Sequence, residues 1–169
     1  VLTDVRHPLV VDAVANSITV GSAHGILITG SNMSGKSTFL RTVGVTVVMA
    51  QTINTCLATK YEAPILNVRS CIGRADDLVT GKSYYIVEVE ALLELVKAST
   101  DSAPHLFLLD ELFRGTNAIE RIAAGQAVLC ELVADAIRPK PHVVLAATHD
   151  GELVDLLPGV FAAYHFGDA

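Results

Sequence analysis

An apolar run closed by glycines, Gly25-Ile26-Leu27-Ile28-Thr29-Gly30, leads directly into Ser31-Asn32-Met33-Ser34-Gly35-Lys36-Ser37, and residues 37–51 then carry Leu40, Val43, Val47 and Val48 at helical spacing. The order strand, glycine-rich loop, helix is the context that a Gly-x-x-x-x-Gly-Lys-Ser spacing needs to act as a phosphate-binding loop. The glycines let backbone N–H groups converge on phosphate oxygens, and the helix N-terminus adds the positive end of its dipole. Lys36 then reaches the β and γ phosphates as a point charge, and the Ser37 hydroxyl can ligate Mg²⁺. An ordinary Gly/Ser turn with an exposed lysine would account for the loop but not for both flanks. The expected ligand is ATP with Mg²⁺.

The rest of the chain fits that frame. Hydrophobic residues make up 51% of it but aromatics only 5%, so Val, Leu, Ile and Ala must fill the core, as in parallel strands buried on both faces. Strands are expected at residues 67–72, 105–110 and 142–147, and helices at 87–98 and 118–137, the last stopped by Pro139. Alternating strands and helices imply right-handed crossovers. The expected fold class is α/β, a P-loop NTPase with a mostly parallel sheet and helices on both faces. At 169 residues the chain is read as a single ATPase domain, 1–169, without repeats or linkers.

Two further segments end where chemistry is expected. Leu106-Phe107-Leu108-Leu109-Asp110-Glu111 is an apolar strand closed by two carboxylates, which would emerge beside the phosphate loop at the strand's C-terminal edge. Asp110 would hold Mg²⁺ and, if the strand geometry persists, Glu111 would point the other way and polarise the attacking water. Thr148-His149-Asp150 follows a second apolar strand, so His149 would leave the sheet at the same edge and sense the γ phosphate. Lys36, Glu111 and His149 are the candidate catalytic residues. Ser83, in Gly81-Lys82-Ser83-Tyr84-Tyr85, reads equally as a helix N-cap or as a second phosphate ligand at a helix N-terminus, and spacing does not separate the two.

Charge and cysteine usage narrow the setting. A net charge of −6 argues against the basic face of a stand-alone nucleic-acid-binding domain, so DNA contact is expected through domains absent from this chain. Cys56, Cys71 and Cys130 form no CxxC pair, which points away from disulfides and zinc and towards a cytoplasmic location. No apolar run is long enough to span a membrane. A chain beginning Val1-Leu2 is expected to be a C-terminal-region fragment of a larger protein.

These residues resemble the ATPase domain of the MutS family, within the ABC ATPase superfamily. The resemblance covers nearly the whole chain: His7-Pro8-Leu9 ahead of the first strand, the loop from Thr29 through Thr38 with its Asn32-Met33 pair, and the serine-bearing segment 81–85 with Glu88. It also takes in Asp110-Glu111-Leu112-Phe113-Arg114-Gly115-Thr116-Asn117 and Thr148-His149. It implies nucleotide contacts from Gly30, Ser31, Asn32, Met33, Ser34, Gly35, Lys36, Ser37 and Thr38. It further implies an ATP-dependent homodimer in which Ser83 touches the γ phosphate held by the partner, and a nucleotide state that moves DNA-contacting arms. The function so implied is ATP hydrolysis within a DNA mismatch repair or other DNA-processing protein. A clamp that holds ATP with little hydrolysis is the alternative; a small kinase lacks a visible acceptor site or lid. Phe113 stands where the family has glycine, Glu120-Arg121 where it has Asp-Gly, and Ser31 where it commonly has proline, departures that imply a divergent MutS-like branch.

Overall fold

A computed structural model describes residues 1–21, 25–73, 84–134 and 142–167. In chain order these form β1 (Leu2–Val5), β2 (Asn16–Ile18), β3 (Gly25–Gly30), α1 (Lys36–Ile53), β4 (Lys60–Tyr61), β5 (Asn67–Cys71) and α2 (Tyr84–Ala98). They continue with β6 (His105–Asp110), α3 (Ala118–Val133), β7 (Val143–Ala147), α4 (Glu152–Leu156) and β8 (Phe161–Phe166). Five strands make the central sheet in the order β5-β6-β7-β3-β8, and every pairing in it is parallel.

The apolar strands are buried on both faces because successive side chains alternate. In β6, Leu106 and Leu108 join a core with Ile26, Ile28, Phe39, Leu40, Val43 and Val47, so α1 covers that face. Phe107 and Leu109 point to the opposite core, with Leu27, Leu92, Leu95, Leu129, Leu132 and Leu153 from β3, α2, α3 and α4. Burying each such side chain contributes about 1.5–3 kcal/mol before entropy is counted. Gly44 lets α1 lie close to the sheet, since a Cβ there would sit 2.7 Å from Leu108 Cδ1. The α/β class, the parallel sheet and helices on both faces are thus as expected.

Several elements differ from the expectation. A small antiparallel sheet, β2-β1-β4, packs Leu2, Val5 and Ile18 against the α1 side of the core. Strand β8 and helix α4 were also not anticipated, and β8 pairs with β3 along its whole length, Gly25↔Phe161 to Gly30↔Phe166. Helix α1 runs to Ile53 and ends where Asn54 turns left-handed at φ 53°. Helix α2 starts at Tyr84, three residues early; the cap position Ser83, like the expected stop at Pro139, lies outside the described residues. Among the described residues no helix is long and apolar enough to cross a membrane.

Candidate functional site

Parallel pairing brings the C-terminal ends of β3, β6 and β7 to one edge of the sheet, with Ile28 beside Ala147 and Asp110 beside Ala147 in register. The loop after β3 needs its glycines: Gly30 has φ 146° with Phe166 O only 2.5 Å from where a Cβ would lie, and Gly35 has φ 96° at the N-cap of α1. No side chain caps α1, and its first turn has no acidic residue, so its N-terminal end has the character of an anion site. The Lys36 side chain is buried along the loop, its Nζ donating to Gly30 O at 2.8 Å and Ser31 O at 2.6 Å.

A cavity of about 510 Å³ opens over this loop. One wall is Asn32, Met33, Gly35, Lys36, Ser37 and Thr38; the other is Glu111, Arg114, Arg121 and His149. Eight of the residues singled out in the sequence therefore line one space. Gly30, Ser31 and Ser34 belong to the loop without lining the cavity, and Ser34 Oγ is buried with no hydrogen-bond partner. Ser83 lies outside the described residues, so its assignment gains no geometry here.

The two carboxylates are separated by a means other than strand alternation. Strand β6 stops at Asp110, and Glu111 adopts φ 54°, a left-handed conformation that costs about 1–3 kcal/mol for a residue with a side chain. Its N–H is still secured, donating to Ala147 O at 2.9 Å. The turn sends the Glu111 carboxylate to the cavity, where Oε2 meets His149 Nδ1 and lies 3.7 Å from Arg114 Nε. Asp110 remains buried at the strand end, and its Oδ1 has no hydrogen-bond partner. Two residues on, Phe113 is also left-handed at φ 58°, and its N–H donates to the buried Glu88 carboxylate on α2 at 2.7 Å. That backbone conformation explains why glycine suits the position; here the cost is offset by burying the Phe113 ring in the core.

His149 leaves β7 on a loop fixed by Thr148 N donating to Ile28 O at 3.0 Å and Asp150 N donating to Thr148 Oγ1 at 3.0 Å. Beside it, Arg121 from the first turn of α3 grips Asp150 with two bonds, Nε to Oδ2 at 2.8 Å and Nη2 to Oδ1 at 2.6 Å. The hydrogen-bonded guanidinium holds the Asp150 carboxyl below the usual carboxylate range against the opposing effect of burial, and Asp150 raises the Arg121 pKa in turn. Sequence reasoning passed over Arg114, Arg121 and Asp150 as site residues. Their signal was faint: an arginine one turn into a helix capped by Asn117, and an acid following the histidine already chosen.

An edge with a glycine-built loop, a buried lysine, two acids and a histidine defines a parallel α/β domain with a cavity at the C-terminal ends of its strands. The family model for MutS domain V matches residues 26–162, and the chain belongs to the MutS family. It is 40% identical over 145 residues to the DNA mismatch repair protein MutS of Streptococcus agalactiae serotype Ia, and 42% identical over 145 residues to that of Streptococcus suis. The same protein from Streptococcus pyogenes serotype M5 is 39% identical over 145 residues. Each match covers 85% of this chain and 16% of the relative, so the chain spans about a sixth of their length.

Proposed function

We propose that this chain is a P-loop ATPase domain of the ABC type that binds ATP with Mg²⁺ in the 510 Å³ cavity and hydrolyses it. The observation that carries the reading is the convergence of Lys36, Ser37, Glu111 and His149, from three separate strand ends, on that single space. Mg²⁺ suits the donors: a hard cation prefers oxygen ligands and usually shares them with phosphates and water. The buried, unpartnered Asp110 Oδ1 and the Ser37 hydroxyl would hold it, and when bound it would neutralise charge on the β and γ phosphates. Among the described residues no cluster of three His, Cys, Asp or Glu side chains forms a self-sufficient metal cage, in keeping with a cation held jointly with substrate.

In this reading Lys36 exchanges the loop carbonyls for phosphate oxygens, trading neutral hydrogen bonds for charge-assisted ones. Glu111 accepts the proton of the attacking water, and His149, donating Nδ1–H to Glu111, would in its doubly protonated form donate Nε2–H to a γ-phosphate oxygen. As a homodimer the domain would complete each site with Ser83 from the other subunit, and within the whole protein it would drive DNA mismatch repair or a related DNA transaction through domains absent from this chain.

The test is Mg²⁺-dependent ATP binding by calorimetry together with phosphate release. Wild type is expected to do both, and Lys36→Ala to lose most affinity. Wild-type protein that fails to bind ATP would overturn the reading; binding without turnover would favour an ATP-held clamp. Mixing Lys36→Ala with Ser83→Ala chains should restore up to about a quarter of wild-type turnover if the serine acts across the dimer, because half the dimers then hold one intact site of two.

A further inference from the structure

The His149 imidazole lies between two carboxylates, and only one holds it. Its Nδ1 bonds to Glu111, whereas Nε2 is 3.8 Å from Asp150 Oδ1, beyond hydrogen-bond range. The backbone of Asp150 is fixed beside the ring, its N–H donating to Thr148 Oγ1 at 3.0 Å and its carbonyl accepting from Leu153 N at 3.2 Å. What occupies the Asp150 carboxylate instead is the fork of Arg121, which takes both oxygens in a pair whose side chains are 18% and 8% exposed. A buried ion pair gains little stability over apolar residues of the same size, so stability alone is a weak reason for building one here.

We propose that Arg121 and Asp150 are positioning residues: by engaging both oxygens of Asp150, Arg121 prevents that carboxylate from capturing the His149 ring, which stays on Glu111 with Nε2 available to a phosphate oxygen. The same pair ties the first turn of α3 to the β7–α4 loop, beside the backbone tie from Glu111 N to Ala147 O. The consequence for rate rests on the ATPase reading above; the consequence for the ring does not.

The test therefore follows the ring itself, by nitrogen-15 NMR titration of nucleotide-free protein, with His149→Gln assigning the signal. The charged groups about it are Glu111 and Arg114 from the β6–α3 loop, Arg121 from α3, Asp150 and Glu152 from its own loop and α4, and Lys36 across the cavity. Arg121→Met leaves Asp150 without its counter-charge and should raise the His149 midpoint by about one pH unit. Asp150→Asn leaves the guanidinium unbalanced and should lower it. The double variant Arg121→Met/Asp150→Asn should return to within a few tenths of wild type, roughly, because both charges are gone. In phosphate release, Arg121→Met should cost about tenfold in kcat with KM within about twofold, and the double variant should recover most of that loss.

A midpoint that Arg121→Met and Asp150→Asn fail to move in opposite directions overturns the proposal, and Asp150→Asn alone decides it if Arg121→Met does not fold. Loss of ATP affinity in Arg121→Met that the second change does not repair would make Arg121 a phosphate ligand, which also overturns it. Because the titration needs no nucleotide, a wild-type protein without ATP turnover would defeat the functional reading and leave the ring's response to decide this one.

Discussion

Strand β6 begins with a buried histidine and ends with a buried carboxylate, and the two ends of the sheet differ in what surrounds these polar groups. At the N-terminal edge, His142 Nδ1 accepts from His105 N at 3.0 Å while Nε2 donates to Ser99 O at 2.8 Å, so both nitrogens of that ring are occupied. The His105 ring stacks on Phe107, their centroids 5.3 Å apart, and its Nε2 lies 3.4 Å from Asp101. At the C-terminal edge, Asp110 Oδ1 and Ser34 Oγ are buried without partners, and Glu111 and Phe113 sit in left-handed backbone. Unpartnered polar atoms thus occur at both edges, the two ring nitrogens of His105 among them; at the N-terminal edge they are shut in by the rings of Phe107 and His142, whereas at the C-terminal edge they adjoin strained backbone and a cavity that a ligand could enter.

The largest effect should come from breaking the open edge. Glu111→Gln keeps size and hydrogen bonding but removes the base, so turnover should fall by roughly 10²-fold or more while ATP still binds. Phosphate release and calorimetry on the same preparation check this; equal loss of binding would show that Glu111 has another role. Little stability should be lost, since the backbone tie to Ala147 survives.

The closed edge should respond the other way. His142→Ala leaves the buried His105 N–H without its acceptor and opens a cavity beside Phe107, which should cost about 2–4 kcal/mol in urea unfolding. Nucleotide affinity of the folded fraction should stay within about twofold, because no His142 atom is near the cavity wall. A matching loss of affinity would mean the two edges are coupled. A smaller effect is expected at the start of α3, where Asn117 accepts from Glu120 N at 3.0 Å and Thr116 Oγ1 bonds the Glu120 carboxylate at 2.5 Å. Asn117→Ala should cost about 1 kcal/mol by urea unfolding, a purely structural contribution sitting beside the chemistry.

What could be read from sequence was whatever is local. The Gly30 to Ser37 loop, the run Leu106-Phe107-Leu108-Leu109 and the helix starting at Ala118 each carry their own spacing, and each formed where expected. The small sheet was not legible because its strands are two to four residues long and are defined by distant pairings, Leu2↔Ile18 and Leu2↔Tyr61. Strand β8 hid for a similar reason: Phe161-Ala162-Ala163-Tyr164 has no alternation of apolar and charged residues, and its place is set by β3. In the site, residue types were legible but directions were not. The sequence pattern put Glu111 on the far face of a continuing strand, whereas a positive φ turns it; Arg121 and Asp150 meet across 29 residues.

The smallest predicted effect concerns pH and returns to His105. Its pKa is lowered, first by desolvation and then by His142, with Asp101 pulling the other way and Arg69 adding a little to the lowering. The folded protein therefore holds this ring neutral at pH values where the unfolded chain, with a pKa near the ordinary 6.5, has begun to bind a proton. Above that value both states are neutral and the group contributes no pH dependence. As pH falls below it, the unfolded state takes up the proton and stability drops, until the folded pKa is reached and the loss levels off. At pH 6.0 the loss should be less than about 1 kcal/mol. Asp150 acts in a different window: its lowered pKa gives stability that is lost only in stronger acid, as pH falls below the ordinary carboxylate range. The measurement is urea unfolding from pH 7.5 to 5.5 for wild type and His105→Gln, taking the difference so that the other histidines cancel. Wild type should lose stability relative to His105→Gln as pH falls through 6.5, and a difference that is flat or of opposite sign would show that Asp101 outweighs burial and that this edge is not closed to protons.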